Sequence, residues 1–315
     1  MKIWTLVENT SINENIKNEH GLSFYIETKN HKILFDFGQS DIFVENAEQM
    51  GIDLSCVDIA ILSHGHYDHG GGIKKFLQIN SNAKIYANKN VFNLHYNGCE
   101  KYIGLDLSLK DNERFIFVDD EYKIDEELAL YSCNKNEKLV SINPYGLKIC
   151  KNNNFVDEDF IHEQYLLIEE NNSNKKKILI SGCSHKGIIN IQNWFNPDVL
   201  IGGFHFMKIP IEVDGSTELK NYSKILSDTK TNFYTCHCTG VEQYNYLKNY
   251  MTNKLNYLSS GSFEEFPLFP NPRTQRRSPR FRSRSRTRCI LRGPPRLQKA
   301  HRGSRSGRKS ALRHA

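Results

Sequence analysis

Potential metal ligands are concentrated between Ser63 and Gly72, where the sequence reads S-H-G-H-Y-D-H-G-G-G. Four of them fall within six residues: His64, His66, Asp68 and His69. The segment directly follows the apolar run Val57–Leu62, which has the pattern of a buried strand. Imidazole nitrogens suit zinc, iron or manganese, and a carboxylate adds a harder ligand. This density of ligands after a strand predicts a metal site rather than a polar surface loop.

The spacing of these ligands divides them into two groups. In an extended segment, side chains two residues apart point to the same side, so His64 and His66 are predicted to share one metal. Asp68 and His69 are then predicted to bind a second metal. Glycines on both sides of the histidines allow a tight turn and a close approach of the backbone to a metal.

Two later histidines also follow predicted strands. His185 comes after the strand Lys177–Ser181, and His237 comes after the strand Asn232–Thr235. This position favours metal ligation for both over a purely structural role. His162, which precedes the predicted strand Tyr165–Glu169, is an alternative to His185 as a ligand.

The remaining histidines of the first 266 residues have different surroundings. His205 follows a predicted strand and either contacts substrate or packs within its loop. His20 either lines the cleft or is a surface histidine. His31 and His95 lie in ordinary polar contexts and are interpreted as non-functional.

The elements that must position these residues are strand-rich at first and alternate later. Lys2–Val7 is a predicted strand, and Leu22–Thr28 and Lys32–Asp36 form a predicted hairpin. Asn88–Leu94 is predicted as a short helix. From Lys177 onward, strands alternate with helices. This mixture predicts an α/β (α+β) fold with two layers of sheet or more.

His-x-His-x-Asp-His after an apolar strand resembles the signature of the metallo-β-lactamase fold superfamily. Other segments are similar to the superfamily's later and earlier motifs: Ile33–Gly38, Ser181–His185, Gly202–His205 and Cys236–Gly240. Together with Glu19–Ser23, they resemble one branch, the hydrolases grouped with an archaeal dihydropterin (methanopterin-pathway) synthase. The resemblance covers about residues 1–266, and it implies a four-layer αββα sandwich with metal-dependent hydrolase activity.

The resemblance also implies roles for the residues that match. The first metal site would contain three histidines: His64, His66 and His185. The second would contain three further ligands: Asp68, His69 and His237. Asp36 would orient the ligand loop through hydrogen bonds. Asp68 and His205 are the candidate catalytic residues.

One position departs from the family pattern. Many superfamily members have an aspartate that bridges both metals, at the end of a strand that reads like Ile178–Gly182. Here that position is Cys183, which is either a thiolate ligand or a residue that only shapes the turn. A mononuclear enzyme therefore stays open beside a dinuclear one, with zinc as the expected metal and iron or manganese as alternatives.

The chemistry of such a site is hydrolysis by a metal-bound hydroxide, which a divalent cation makes available near neutral pH. Esters, thioesters, lactams and phosphodiesters all fit. The resemblance indicates a small substrate, phosphorylated or pterin-like. Two alternatives stay open, a nucleic-acid-processing metalloenzyme and a pterin-linked transferase or synthase.

The charge pattern divides the chain near Phe266. Residues 1–266 carry 26 basic and 36 acidic side chains, a formal charge of −10, whereas residues 267–315 carry 16 basic side chains and no acidic ones, a charge of +16. The Arg/Ser/Pro-rich segment 267–315 is predicted to be disordered. It is either a nucleic-acid-binding arm or not a selected part of the protein, as after a change of reading frame. A nucleic-acid partner is expected only if this tail is genuine.

Targeting and redox signals are few. No apolar run approaches the ~18–20 residues of a membrane span, and the N-terminus lacks a signal-peptide pattern. The eight cysteines form no recognisable disulfide framework. We therefore expect a cytoplasmic protein with reduced thiols, a small-molecule substrate and no membrane partner.

Cys236 and Cys238, beside His237, are interpreted as small core residues.

Overall fold

The computed structural model describes residues 1–169, 176–211 and 213–266. Its strands are β1 (Lys2–Val7), β2 (Ser23–Glu27), β3 (Lys32–Phe35), β4 (Ile59–Leu62), β5 (Lys84–Asn88), β6 (Leu94–Asn97), β7 (Lys101–Tyr102), β8 (Phe115–Val118), β9 (Glu121–Lys123), β10 (Leu128–Tyr131), β11 (Leu147–Lys151), β12 (Asn154–Asp157), β13 (Tyr165–Glu169), β14 (Lys177–Ile180), β15 (Val199–Ile201), β16 (Asn232–Thr235), β17 (Leu255–Tyr257) and β18 (Phe263–Glu265). Its α-helices are α1 (Ile42–Gln49), α2 (Tyr67–Gly70), α3 (Ile73–Ile79), α4 (Ile188–Phe195), α5 (Val213–Ser227) and α6 (Val241–Met251). Short 3₁₀ turns cover Leu54–Cys56, Leu107–Leu109 and His237–Thr239.

Most strands belong to two seven-stranded sheets. The first has the order β18-β1-β2-β3-β4-β5-β8, and the second has the order β17-β16-β15-β14-β13-β10-β9. Strands β3, β4, β5 and β8 run parallel in the first sheet, as do β14 to β17 in the second. A separate four-stranded antiparallel sheet has the order β12-β11-β6-β7.

Apolar packing places the two large sheets face to face with helices outside. Side chains alternate along a strand, so Ile33 and Phe35 of β3 pack against the second sheet while Leu34 packs toward α1 and α3. Helices α4, α5 and α6 cover the second sheet, with Leu247 of α6 in that layer. Burying one such large apolar side chain stabilises the fold by about 1.5–3 kcal/mol. The four-layer αββα sandwich is therefore confirmed.

The ends of the parallel strands position the candidate site. The carboxyl ends of parallel neighbours lie at one edge of a sheet, which is where open α/β sheets bind their ligands. Asp36 follows β3, and the His64 loop follows β4. The His185, His205 and His237 loops follow β14, β15 and β16 in the same way. The order of the strands thus collects residues that are far apart in the chain.

A glycine lets the loops of the two sheets approach. A Cβ atom on Gly182, in the loop after β14, would lie 2.2 Å from the hydroxyl oxygen of Ser63 and 3.2 Å from Nδ1 of His64. Any larger residue at this position would push the β4 loop away from the β14 loop. Gly182 therefore sets how closely the first and second sheets approach at the site.

The predicted short helix Asn88–Leu94 is wrong. Asn88 ends β5, a turn follows, and Leu94 begins β6, which pairs with β11. The side-chain oxygen of Asn88 accepts the backbone N–H of Asn90 at 2.9 Å, which is an Asx turn and competes with helix formation. The pairing with β11, more than 50 residues later in sequence, then holds the next residues extended.

The predicted tail, residues 267–315, lies outside the described residues. The domain boundary near Phe266 stays a prediction. The last described residues form one edge of the first sheet. There β18 pairs with β1, and the N–H of Phe266 donates to the carbonyl of Met1 at 2.8 Å. Among the described helices, none is both long and apolar enough to cross a bilayer.

Candidate metal centre

His64, His66 and His185 meet at the position predicted for the first metal. The Nε2 atoms of His64 and His185 are 3.3 Å apart. The ring of His66 lies 4.6 Å from that of His64 and 5.0 Å from that of His185, centroid to centroid. All three histidines are buried. The structure therefore brings the three rings together, although the ligand-type atoms within 4.8 Å of one another are those of His64, Cys183 and His185.

Asp68, His69 and His237 form the second group. Nε2 of His69 lies 3.2 Å from Nε2 of His237, and Oδ2 of Asp68 lies 3.3 Å from the same His237 nitrogen. Sγ of Cys183 lies 3.1 Å from Nε2 of His69 and also within 4.8 Å of ring nitrogens of His64 and His185. Cys183 thus lies between the two groups, where a bridging ligand would be.

Asp36 fixes the protons of the ligand loop. Its Oδ2 accepts Nδ1–H of His69 at 2.6 Å and the hydroxyl of Ser63 at 2.7 Å, and its Oδ1 accepts the Ser63 N–H at 2.7 Å. Since the Ser63 hydroxyl donates to Asp36, its oxygen accepts Nδ1–H of His64 at 2.8 Å. The Nδ1 atoms of both histidines are therefore occupied by these partners, and their Nε2 atoms face the site.

The segment after β1 performs the same task for His237. Oδ1 of Asn9 accepts Nδ1–H of His237 at 2.7 Å, and Oε2 of Glu8 accepts its backbone N–H at 3.1 Å. Sequence reasoning missed Asn9 and Glu8. They belong to no motif, and only the folded chain brings them to a residue more than 220 positions away.

This arrangement fits a bound divalent metal. Because both Nδ1 atoms donate to Asp36 and Asn9, the Nε2 atoms of His69 and His237 are the nitrogens left to face the site, 3.2 Å apart. In the metal-free chain the raised pKa of His69 keeps a proton on its Nε2, and a bound divalent cation would replace that proton. Five imidazoles, a carboxylate and a thiol are a donor set that suits zinc and its neighbours among the transition metals.

Electrostatics separates the buried groups. Burial lowers the pKa of His64, His66 and His185 well below the ordinary histidine value, which keeps these rings neutral. Burial also opposes a charge on His69, but the carboxylates of Asp36 and Asp68 outweigh it and raise the pKa of His69 to about 9.

Asp68 and Cys183 respond differently to their surroundings. Burial alone would raise the pKa of Asp68, yet the nearby His69, His20 and His237 hold that pKa well below its usual range. Asp68 is therefore ionised at neutral pH. Burial raises the pKa of the Cys183 thiol well above its ordinary value, with Cys238 as the next cause. A thiolate at Cys183 therefore needs a cation beside it.

The centre opens into a cleft of about 250 Å³. Polar and apolar side chains line it, including His20, Lys101, Met207 and Lys208. Nε2 of His20 lies 3.3 Å from Oδ2 of Asp68, so His20 lies at the cleft rather than on a remote surface.

His205 and Cys238 share one side of the cleft. Both ring nitrogens of His205 are buried without a hydrogen-bond partner among the described residues, and the ring lies 4.3 Å from that of His185. One of its nitrogens lies within 4.8 Å of the thiols of Cys183 and Cys238. Cys236, by contrast, packs in the core between the sheets. Its interpretation as a core residue is confirmed, whereas Cys238 faces the cleft.

The structure disfavours His162 as a substitute for His185. Nδ1 of His162 accepts the N–H of Gly65 at 2.8 Å, so the neutral ring carries its proton on Nε2 and has no lone pair left for a metal. The surroundings of His95 differ from the expectation, because the ring is fully buried and bonded to Glu158 at 2.7 Å. His31 lies outside the cleft, where it contacts Asp125.

Comparisons with known proteins agree with this geometry. The family model described as the metallo-beta-lactamase superfamily matches residues 17–130. An uncharacterized protein of Methanocaldococcus jannaschii is 30% identical over 213 residues, which cover 65% of this chain and 79% of that protein. From the same organism, a 7,8-dihydropterin-6-methyl-4-(beta-D-ribofuranosyl)-aminobenzene-5'-phosphate synthase is 25% identical over 84% of this chain and 97% of its own length.

A solved structure is similar over nearly its whole length. Tm1679, described as a metal-dependent hydrolase of the beta-lactamase superfamily, superposes with a TM-score of 0.69 at 27% identity, covering 84% of this chain and 99% of Tm1679.

Proposed function

The chain belongs to the metallo-beta-lactamase superfamily and is a metallo-hydrolase; from this premise we propose that it is a two-zinc enzyme that cleaves a small, phosphorylated substrate. Three histidines would hold the first metal: His64, His66 and His185. Three other residues would hold the second: Asp68, His69 and His237. Cys183 would contribute a thiolate between them.

The observation that carries this proposal is the convergence of buried ligand-type atoms on one centre. Asp36 and Asn9 accept the Nδ1 protons of His69 and His237, so the two Nε2 atoms, 3.2 Å apart, are the nitrogens that face the centre. A cation bound there would replace the second proton that His69 carries in the metal-free chain, where its pKa is raised to about 9. Divalent metals bound at such sites lower the pKa of water to near 7 and polarise a substrate oxygen.

The chain's own residues would complete the reaction. Asp68, held ionised by neighbouring histidines, is proposed as the acceptor of a proton from the attacking water. His205 presents two buried ring nitrogens without partners beside the cleft, which supports a role in holding the substrate. His20 closes one side of the cleft and retains a half-exposed ring, with 46% of its side chain accessible.

The substrate class is supported by the cleft's charge and by one relative. Lys101 and Lys208 line the cleft, and with Asn97 they offer donors for an anionic group. Apolar walls of Ile103 and Leu147 suit the body of a small organic molecule. The relative that makes a dihydropterin aminobenzene 5'-phosphate handles a phosphorylated compound by its name, which supports a phosphorylated or pterin-like substrate here.

Full-length protein, reconstituted with zinc, is the material for the test. We expect it to hydrolyse a chromogenic phosphodiester or phosphomonoester, and we expect His64→Ala and His66→Ala to reduce kcat/KM by at least 10²-fold. Lys101→Ala and Lys208→Ala should mainly raise KM, because they remove ground-state binding of the anion. His31→Ala, which changes a histidine outside the cleft, is the matched control. Full activity in His64→Ala or His66→Ala would show that the assignment is wrong.

A further inference from the structure

A second cluster of buried polar groups lies behind His66, on the side away from the cleft. It contains His66, His95, Glu158 and His162, and one ligand-type atom of each lies within 4.8 Å of the others. All four residues are buried, and of these only His66 lines the cleft. Nε2 of each of the three histidines is buried without a hydrogen-bond partner. Three such orphan nitrogens beside one carboxylate call for an explanation.

The tautomers show that this cluster is not a third metal site. Nδ1 of His162 accepts the Gly65 N–H at 2.8 Å, so its Nε2 carries a proton and faces Oε1 of Glu158 at 3.7 Å. Nδ1 of His95 lies 2.7 Å from Oε2 of Glu158 and donates to that carboxylate. The remaining lone pair in the cluster is therefore Nε2 of His95.

That lone pair lies next to the ligand loop. A Cβ atom built on Gly65, the residue before His66, would lie 3.0 Å from Nε2 of His95. The rings of His66 and His95 are 5.6 Å apart and nearly perpendicular, at 76°. Nε2 of His66 and Nε2 of His95 both lack a hydrogen-bond partner. A proton on Nε2 of His66 would supply the donor that Nε2 of His95 lacks, directly or through one bridging water.

We propose that Glu158 and His95 form a buried hydrogen-bonded chain that positions His66, holds its proton on Nε2 and leaves its Nδ1 for the metal. Glu158 accepts from His95, and His95 accepts from His66. Metal-binding histidines are commonly oriented in this way through their second nitrogen, which also makes them more basic ligands. The inference rests on the proposed function, since it takes His66 to be a ligand.

The four-stranded sheet positions His95 and Glu158. His95 lies in β6 and Glu158 directly follows β12, and both strands pair with β11. Residue Ile149 of β11 is opposite His95, and Lys148 is opposite Asp157. The four-stranded sheet therefore brings two residues, 63 positions apart, to the back of the ligand loop.

The test measures zinc affinity, independently of turnover, in the full-length chain. Zinc binding is followed by competition with a chromophoric chelator in Glu158→Gln, His95→Gln and the double variant. We expect each single variant to weaken one zinc site by about 10–100-fold while the amount of zinc bound at saturation stays unchanged. The double variant should be no weaker than the weaker single variant, because both residues act in one chain.

Two matched variants control for general damage. Glu127→Gln changes another buried carboxylate, which accepts from Thr28 and Asn30 outside the cleft, and His31→Gln changes a histidine in surface ion pairs. Both should bind zinc as the unaltered chain does. The thermal midpoint of each metal-free variant is measured in parallel, so that a loss of stability is separated from a loss of affinity.

Four results would overturn the inference. These are unaltered zinc affinity in both single variants, a lowered metal-free midpoint with unaltered affinity, additive losses in the double variant, or a third zinc that the variants lose. If the unaltered chain binds no zinc at all, the proposed function fails together with the inference. If it binds zinc but the variants do so equally well, only the inference fails.

Discussion

Asp36 is the residue on which the proton arrangement of the ligand loop depends. It accepts three hydrogen bonds, two from Ser63 and one from His69, although it is fully buried. Its backbone has φ of 60°, a conformation that asparagine also adopts readily. An asparagine at this position therefore keeps the backbone and the volume but offers only one acceptor oxygen.

We predict that Asp36→Asn weakens binding at the second metal site by about 10–100-fold, because the proton of His69 is no longer fixed on Nδ1. Competition with a chelator measures the affinity, and elemental analysis gives the amount bound. Asp58→Asn changes an exposed carboxylate of the same type next to β3 and should have no effect. Equal affinity in Asp36→Asn and Asp58→Asn would contradict the role of Asp36.

Sequence reasoning at the residue scale selected the candidate ligands but few of their supports. Their spacing selected His64, His66, Asp68 and His69, and the family resemblance supplied the full ligand sets of the two metal sites. Asn9 and Glu158 act on His237 and His95 across long sequence separations, and only strand pairing brings them there. The buried surroundings of His95 could not be predicted, because its partner lies in a strand-rich stretch without a motif.

At the scale of elements, the loop between β14 and α4 depends on one carboxylate. Oε1 of Glu163 accepts the backbone N–H of His185 at 2.7 Å, and Oε2 accepts the N–H of Lys186 at 3.0 Å and the hydroxyl of Tyr165 at 2.7 Å. All of these groups are buried. Glu163 lies two residues before the start of β13. Its hydrogen bonds therefore connect the second sheet to the loop that carries His185.

We predict that Glu163→Gln lowers the free energy of unfolding by about 1–3 kcal/mol, because at least one buried N–H loses its acceptor. It should also weaken the first metal site more than the second. Tyr165→Phe is the matched control, since it removes one donor and leaves both loop N–H groups bonded. Urea unfolding and zinc titration measure the two effects. A Glu163→Gln chain with unaltered zinc affinity would show that the loop does not depend on this contact.

The types of the elements were more predictable than local turns. The predicted alternation of strands and helices after Lys177 is confirmed, because α4, α5 and α6 separate the strands β14 to β17. Asn88–Leu94 was predicted as a helix from its local composition, yet an Asx turn and pairing with β11 determine its structure. Local composition cannot anticipate a partner strand so distant in sequence.

For the whole molecule, the buried histidines predict a pH-dependent stability of the metal-free chain. Burial lowers the pKa of four rings: His64, His66, His162 and His185. In the unfolded chain they bind protons below about pH 6.5, whereas in the folded chain they remain neutral. The unfolded state then binds more protons, so stability falls as pH falls. His69, whose pKa is raised to about 9 in the folded chain, has the opposite effect on stability. Its protonation stabilises the fold below about pH 6.5, and this stabilisation is lost as the pH rises through 9.

We therefore expect the chelator-treated chain to be less stable at pH 5.5 than at pH 7, by about 1 kcal/mol for each of these four histidines that must stay neutral. Denaturant unfolding at the two pH values measures the difference. Equal stability at both values would contradict the buried, neutral state of these rings.

The charge division of the chain gives another prediction at this scale. The described residues that line the cleft lie within the first 266, whereas residues 267–315 carry a formal charge of +16. Removing residues 267–315 should leave kcat/KM for a small phosphoester within about twofold of the full chain. A loss of small-substrate turnover would instead favour the alternative in which the tail delivers nucleic acid to the site.

The most direct test of the central claim is the metal content of the purified full-length chain, measured by elemental analysis after reconstitution with zinc and removal of excess. The arrangement of ligand-type atoms predicts about two equivalents per chain, about one in His237→Ala, and a loss of the first-site metal in His64→Ala. No bound zinc in the unaltered chain, or the same content in all three proteins, would contradict the account.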